Sequence, residues 1–191
     1  MKKLTPVRIV HLVLIVILVA FSVYAAIKMF SGAAAAGRAM MILYGIVNVL
    51  NVGALCASAV YLLNSYGKKA ADWYKAFLYL NVVVTVLLLI VDIFYIPFSF
   101  VLLSSIILLA VKAAALAVLT FKKDLGKKNT WIVFYVLLGL DVMLIVLTFI
   151  NATRESIVFM IHGSASRLIN DLTIALAIRG KYADKEQRGS K

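Results

Sequence analysis

Long apolar runs separated by short polar or turn-forming stretches account for most of the chain. Each of six runs has about the 20 mostly apolar residues that a helix needs to span a bilayer. The runs cover residues 7–30, 39–66, 73–96, 98–121, 130–150 and 156–178. This pattern predicts an all-α, polytopic integral membrane protein, with residues 1–191 forming one transmembrane domain. Six spanning helices would be arranged as three hairpins, with Pro97 breaking the third run from the fourth.

The composition favours the same class of protein. The chain has 191 residues, of which 64% are hydrophobic and 15% are charged, whereas soluble domains average about 45–50% apolar and about 25% charged residues. A soluble fold of this length could not cover so much apolar surface, so lipid is the predicted solvent. Because Cys56 is the single cysteine, no disulfide can form within the chain. Its place in an apolar run predicts a small buried hydrophobe.

The first apolar run also has features of a cleaved signal peptide. Lys2 and Lys3 precede it, and residues 23–25 resemble a cleavage site. However, the run continues past that site almost to Lys28, which favours a retained first helix.

The basic residues determine the predicted orientation in the membrane. The net charge is +12, and the Lys and Arg residues cluster before residue 8, near Lys68, between residues 122 and 128, and from residue 179 onward. Clusters of this kind mark cytoplasmic loops, so both termini should be cytoplasmic, with residues 179–191 forming a basic tail. We expect a bacterial-type plasma membrane. A nucleic-acid partner would need a basic patch on a folded module, and none is predicted.

The chain also contains a possible internal repeat. Matched positions lie about 60 residues apart: 67–69 with 126–128, Trp73 with Trp131, and 80–83 with 140–143. A weaker third copy begins at Lys2 and reaches His11. The repeat predicts hairpins in one orientation, but chance matching is the alternative because helical membrane sequences have low complexity.

A lysine in the middle of the fourth run raises the question of function. Lys112 interrupts the sequence LLAVKAAALAVL, about ten residues or roughly 15 Å before the run ends. A charge at this depth costs about 2.5–3.5 kcal/mol on insertion scales. An inward-facing position with a partner would lower that cost, and Asp141 in the fifth run is a candidate.

Further polar residues lie at membrane depth and define a candidate site. The predicted ligand-binding or intramembrane polar network consists of Lys112, Asp141, Arg167, Asp171, Asn48 and Asn51. Arg167 and Asp171 are four residues apart and share one helical face. Intramembrane ionisable residues are functional candidates, and two bases with two acids suggest a zwitterion or a mixed polar ligand in a small hydrated cavity.

A purely structural interpretation explains the same residues. Arg167 and Asp171 could neutralise each other within one helix, and Lys112 with Asp141 could form a pair that fixes how two hairpins dock. Asparagine side chains commonly form hydrogen bonds between membrane helices without any further role.

The sequence contains no motif for catalysis, metal binding or cofactor binding. We therefore expect no enzyme, no catalytic residue, no metal and no cofactor. The function that we predict is the binding or transport of a small polar solute. The alternative is a non-catalytic accessory or scaffold subunit of a larger membrane complex. The expected partners are the lipid bilayer, the small polar solute, and a membrane partner subunit or a second copy of the chain.

Overall fold

Six α-helices form the structure, which is a computed structural model. It describes residues 5–32, 38–64, 68–95, 98–122, 125–150 and 157–189. The helices, α1 to α6 in chain order, are Pro6–Gly32, Arg38–Leu63, Lys68–Tyr95, Phe100–Phe121, Gly126–Ile150 and Ile157–Gly189. The prediction of an all-α fold is confirmed, because the described residues form no strand. The predicted break at Pro97, the match at Gly67 and the connection at 151–155 lie outside the described residues.

Five of the helices, α1 to α5, are long and apolar enough to cross a membrane. The 27 residues of α1, for example, extend for about 40 Å at 1.5 Å per residue, which exceeds the hydrocarbon thickness of about 30 Å. The membrane location is therefore supported by five separate helices. Helix α6 is more polar, and its place in the bundle is described below.

The ends of several helices have identifiable local causes. The Ser99 hydroxyl accepts a hydrogen bond of 3.0 Å from the backbone N–H of Leu102 and so caps the start of α4. Gly126 begins α5 with a φ of 72°, a left-handed conformation that glycine adopts without steric cost. Helix α6 continues past its predicted end at residue 178 to Gly189. An apolar run marks only the part of a helix that suits hydrocarbon. The helix continues beyond it because Lys, Arg, Gln and Glu are good helix formers.

The helices pack in chain order around a closed bundle. Each helix packs against the next one, and α6 also packs against α1 and α2. Because the connections are short, neighbouring helices run antiparallel. One end of the bundle, here called the Phe100 end, therefore holds the start of α4 and of α6. The opposite Phe121 end holds the start of α1, α3 and α5.

Two clusters of buried apolar side chains hold the helices together. The first cluster joins α2, α3, α4, α5 and α6, and at its centre Phe77, Leu137 and Ile174 are at most 2% exposed. The second joins α1, α2 and α6 through residues such as Ile15 and Leu55, which are 1% and 0% exposed. Without water to drive association, van der Waals packing of this kind stabilises a membrane bundle.

The outer surface of the bundle is also apolar. Large side chains such as Val16, Phe94 and Phe100 are 67%, 73% and 83% exposed, which suits a surface that faces acyl chains. Cys56 is also exposed, so the expected burial of this residue is wrong. A membrane helix is apolar on both its lipid-facing and its protein-facing side, so an apolar run does not identify the buried face.

Phe77→Ala should destabilise the bundle, because Phe77 is fully buried in the first cluster. The loss should stay below the about 3–5 kcal/mol typical of Phe→Ala in soluble cores, since lipid rather than water solvates the separated helices. Thermal unfolding in mild detergent measures the change. Phe100→Ala, at a position that is 83% exposed, is the matched control, and an equal loss in both variants would contradict the packing described here.

Candidate functional site

Lys112 and Asp141 form an ion pair between α4 and α5. Lys112 Nζ donates a hydrogen bond to Asp141 Oδ1, and the two side chains are 12% and 2% exposed. This is the only ion pair between two residues that the structure describes. Lys112 does not reach the end of its helix as a snorkelling lysine would. Its charge is instead compensated inside the bundle, at the depth where the sequence places it.

Asp171 lies beside this pair, on α6. It is 4% exposed, and its carboxyl group lies close enough to that of Asp141 for a direct interaction. Its Oδ2 atom is buried and has no hydrogen-bond partner among the described residues. Helices α4, α5 and α6 therefore place one ammonium group and two carboxyl groups together, away from water.

Arg167 lies one helical turn from Asp171 but does not form an ion pair with it. The structural interpretation allowed Arg167 and Asp171 to neutralise each other within one helix, and the structure shows no direct ion pair between them. Asp141, Asp92 and Asp171 lie within electrostatic range of Arg167, yet its guanidinium has no hydrogen-bond or ion-pair partner among the described residues. Arg167 is thus a guanidinium group inside the helix bundle without a direct counter-ion.

The two asparagines of the predicted network take different roles on α2. Asn51 Nδ2 donates to the hydroxyls of Ser22 and Ser166, at 3.3 and 3.4 Å, and so links α2 to α1 and α6. Asn48 Nδ2 donates to the carbonyl oxygen of Tyr44 in its own helix, at 2.8 Å. Asn51 therefore connects helices, whereas the Asn48 amide hydrogen bond stays within one helix.

Several polar residues that the sequence did not single out belong to the same interior. Asn170 Nδ2 donates to Asn81 Oδ1 at 2.8 Å, which links α6 to α3. His11 Nε2 is hydrogen-bonded to the hydroxyl of Thr173 at 3.0 Å, which links α1 to α6. None of these residues is a lysine, arginine or aspartate, the residue types that stand out in an apolar run. Only their position within long apolar runs could have identified them as part of the polar interior.

His162 belongs to the interior near the Phe100 end. Its Nε2 atom lies 2.9 Å from the hydroxyl of Ser22, and its ring stacks on Phe21 with centroids 4.9 Å apart. His162 on α6 therefore bonds to α1, and His11 on α1 bonds to α6, at two separate places along the same helix pair. Within the described ranges, no three His, Cys, Asp or Glu side chains come together as a metal ion would require.

A central cavity of about 280 Å³ opens beside these residues. Its polar lining comes from α2, α3, α4 and α6, and consists of Tyr44, Asn48, Asn51, Asn81, Thr85, Lys112, His162, Ser166, Arg167 and Asn170. Four of the six predicted site residues therefore line it. Asp141 and Asp171 do not, because they lie behind the wall, 1% and 4% exposed.

A second cavity of about 410 Å³, here called the end cavity, adjoins the first towards the Phe100 end. Arg167 and Tyr44 line both cavities. Asp92 also lines the end cavity and accepts a hydrogen bond of 2.7 Å from Ser105. The two cavities together extend from near the Phe100 end towards the middle of the bundle, and Arg167 is one of the residues that they share.

Comparisons with protein-family models, with curated proteins and with solved structures found no match to this chain.

Lys112→Met should destabilise the protein by about 3–5 kcal/mol, because it leaves the Asp141 carboxylate buried without its partner. Replacing both residues, with Lys112→Met and Asp141→Leu, should recover much of this loss, since an apolar pair has no charge to desolvate. Unfolding in detergent measures both variants. The exposed Lys75 provides the control Lys75→Met, which should have little effect. Equal losses in the single and double variants would contradict a structural pair.

Proposed function

We propose that this protein is a six-span membrane protein that binds or transports a small polar solute through its central cavity. The six spans would form three hairpins in a bacterial-type plasma membrane, with both termini in the cytoplasm. The Phe100 end then faces outward, and the solute enters through the end cavity. The partners are the bilayer and the solute.

The arrangement of α6 supports its assignment as the sixth span. Its polar residues Ser166, Asp171 and Thr173 are buried, at 5%, 4% and 0% exposure. Its exposed side chains in the same region include the apolar Ile161 and Leu168, at 55% and 47%. The helix therefore shows lipid an apolar face, while the surrounding helices cover its polar face.

Arg167 is the single observation that carries the proposed function. A cation at membrane depth is costly unless a partner compensates it, and no described residue forms an ion pair with this guanidinium. Its planar group matches a carboxylate or a phosphate with two parallel hydrogen bonds. An acidic group of a bound solute would therefore complete the site, and Lys112 on the same cavity wall adds an ammonium group that could donate a further hydrogen bond.

The other residues that line the two cavities indicate which other chemical groups the solute carries. Around the central cavity, the asparagines at 48, 51, 81 and 170 offer amide donors and acceptors for hydroxyl, amide or ring-nitrogen groups. Asp92 in the end cavity offers the opposite charge, so a zwitterion would fit across the two cavities. A volume of about 280 Å³ is near the lower end of ligand pockets, about 300–1,000 Å³, which favours a small solute.

The orientation predicts which end of the bundle a membrane-impermeant maleimide reaches. In a Cys56→Ser background, Phe98→Cys places a thiol at the Phe100 end, where Phe98 is 84% exposed. Lys122→Cys places one at the exposed Phe121 end. Intact spheroplasts should label only the first variant, and lysed membranes should label both. Labelling of Lys122→Cys alone in intact spheroplasts would show the reverse orientation.

The solute prediction is tested by native mass spectrometry of the protein purified in mild detergent. The unaltered protein should carry a small acidic molecule that denaturation releases. Arg167→Gln should lower its occupancy by about tenfold or more, since hydrogen bonds to charged groups contribute about 1.5–3 kcal/mol. Arg179→Gln, at an exposed arginine further along α6, is the control and should retain the molecule.

The same measurement separates the proposal from the accessory-subunit alternative. A stoichiometric partner polypeptide, together with an empty cavity in both arginine variants and in the unaltered protein, would favour the alternative. Lys112→Met provides a further check, because a variant that folds normally and keeps full solute binding would remove Lys112 from the site.

A further inference from the structure

The two carboxyl groups behind the central cavity have more negative charge than their direct partner can compensate. Asp141 and Asp171 are 1% and 4% exposed, and their carboxyl groups interact directly. Lys112 forms its ion pair with Asp141. The Oδ2 atom of Asp171 is buried and has no hydrogen-bond partner among the described residues. One ammonium group therefore faces two acids in a region closed to water.

A charge count over the described interior leads to the same result. Three acids, Asp92, Asp141 and Asp171, are buried there, and two bases, Lys112 and Arg167, line the central cavity. With every group ionised, the interior would carry one uncompensated negative charge. Because a lone charge in a low-dielectric region is strongly disfavoured, one bound proton is the simplest way to make the interior neutral.

The structure indicates which acid holds that proton. Asp92 lines the end cavity and accepts a hydrogen bond from Ser105, so this carboxyl group already has a donor. Asp141 is paired with Lys112, whereas Asp171 lies buried close to it without a cation in direct contact, so Asp171 is the acid whose charge is least compensated. A proton between the two carboxyl groups would also supply the donor that Asp171 Oδ2 lacks.

We propose that Asp171 holds a bound proton beside the Asp141 carboxylate, and that an acidic solute on Arg167 makes Asp171 hold this proton more tightly. The second half of this proposal rests on the proposed function. Arg167 lies one turn from Asp171 and within electrostatic range of it, where its positive charge favours the ionised form of Asp171. A solute carboxylate on Arg167 would cancel that effect, and by linkage the proton would in turn favour the solute.

The titratable groups around the pair come from five helices. Lys112 on α4 contacts Asp141, and Arg167 lies on α6 itself. On α1, His11 reaches Thr173, two residues from Asp171. Asp92 on α3 lies within range of Arg167, and Tyr44 on α2 lies within range of Asp92.

Binding the proton requires no co-reactant beyond water. A hydronium ion gives up its proton, one O–H bond forms on an aspartate oxygen, and a water molecule is left. Lys112 and Arg167 line the central cavity directly in front of the pair, so the cavity provides the route to the Phe100 end. Solute and proton would therefore use the same opening.

Infrared spectroscopy of the full chain in detergent tests the proton site without any solute. A protonated carboxylic acid has a C=O stretching band that is separate from the carboxylate bands and shifts in heavy water. We expect this band at neutral pH in the unaltered protein and in Asp72→Asn, at an exposed acid. We expect its loss in Asp171→Asn, which resembles the protonated acid in shape and should therefore fold.

Three further results keep the test decisive. Asp171→Glu should retain the band, which guards against a loss caused by misfolding. Arg167→Gln should move the pH midpoint of the band upward by about one unit or more, as removal of a nearby positive charge does. Absence of the band from the unaltered protein, or its loss in Asp92→Asn alone, would overturn the proton site. Neither result would affect solute binding, which mass spectrometry measures separately.

Discussion

Hydrocarbon offers no hydrogen bonds, so every polar group inside a membrane bundle has to find its partner within the protein. In this protein the partners converge on a short part of α6. Asn81 of α3 is bonded to Asn170, and both Ser58 of α2 and His11 of α1 are hydrogen-bonded to Thr173. Residues 170–173 thus hold three other helices in place, and a rotation of α6 would break all three contacts together.

This convergence separates groups that position helices from groups that need another explanation. The Lys112–Asp141 pair fixes α4 against α5, but an apolar pair would do so at no lower stability. The hydrogen bonds of Asn51 to Ser22 and Ser166 are common between membrane helices. Arg167 contributes to no such link and still occupies the junction of two cavities. A purely structural interpretation explains the first two features, and for Arg167 it offers only electrostatic compensation of the nearby acids without direct contact.

Helix positions could be predicted from the sequence because they depend on local apolarity, which hydrocarbon selects directly. The starts of α1, α2 and α6 lie within a residue of the predicted runs. The pairing of Lys112 with Asp141 was a candidate because both charges lie at one depth. Which side of a helix faces inward was not predictable, since it depends on packing between helices. Cys56 is an example, because its place in an apolar run did not reveal that it is exposed. Asn81 and Asn170 were missed for the same reason, since the sequence does not show which side of a helix faces inward.

In α6, the polar residues that line the site also lower the apolarity that a membrane-spanning helix needs. The middle of α6 contains Arg167, Asn170 and Asp171, and it is therefore less apolar than the five helices that meet the membrane-span criterion. Such a helix is costly in lipid alone, but it becomes favourable when the other helices cover its polar face. Asn81 on α3 and Asp141 on α5, which the predicted repeat would match, lie next to adjacent α6 residues, so α3 and α5 each cover part of that face. The same polar face provides the wall of the cavity, so the contacts that cover α6 also hold Arg167 at the junction.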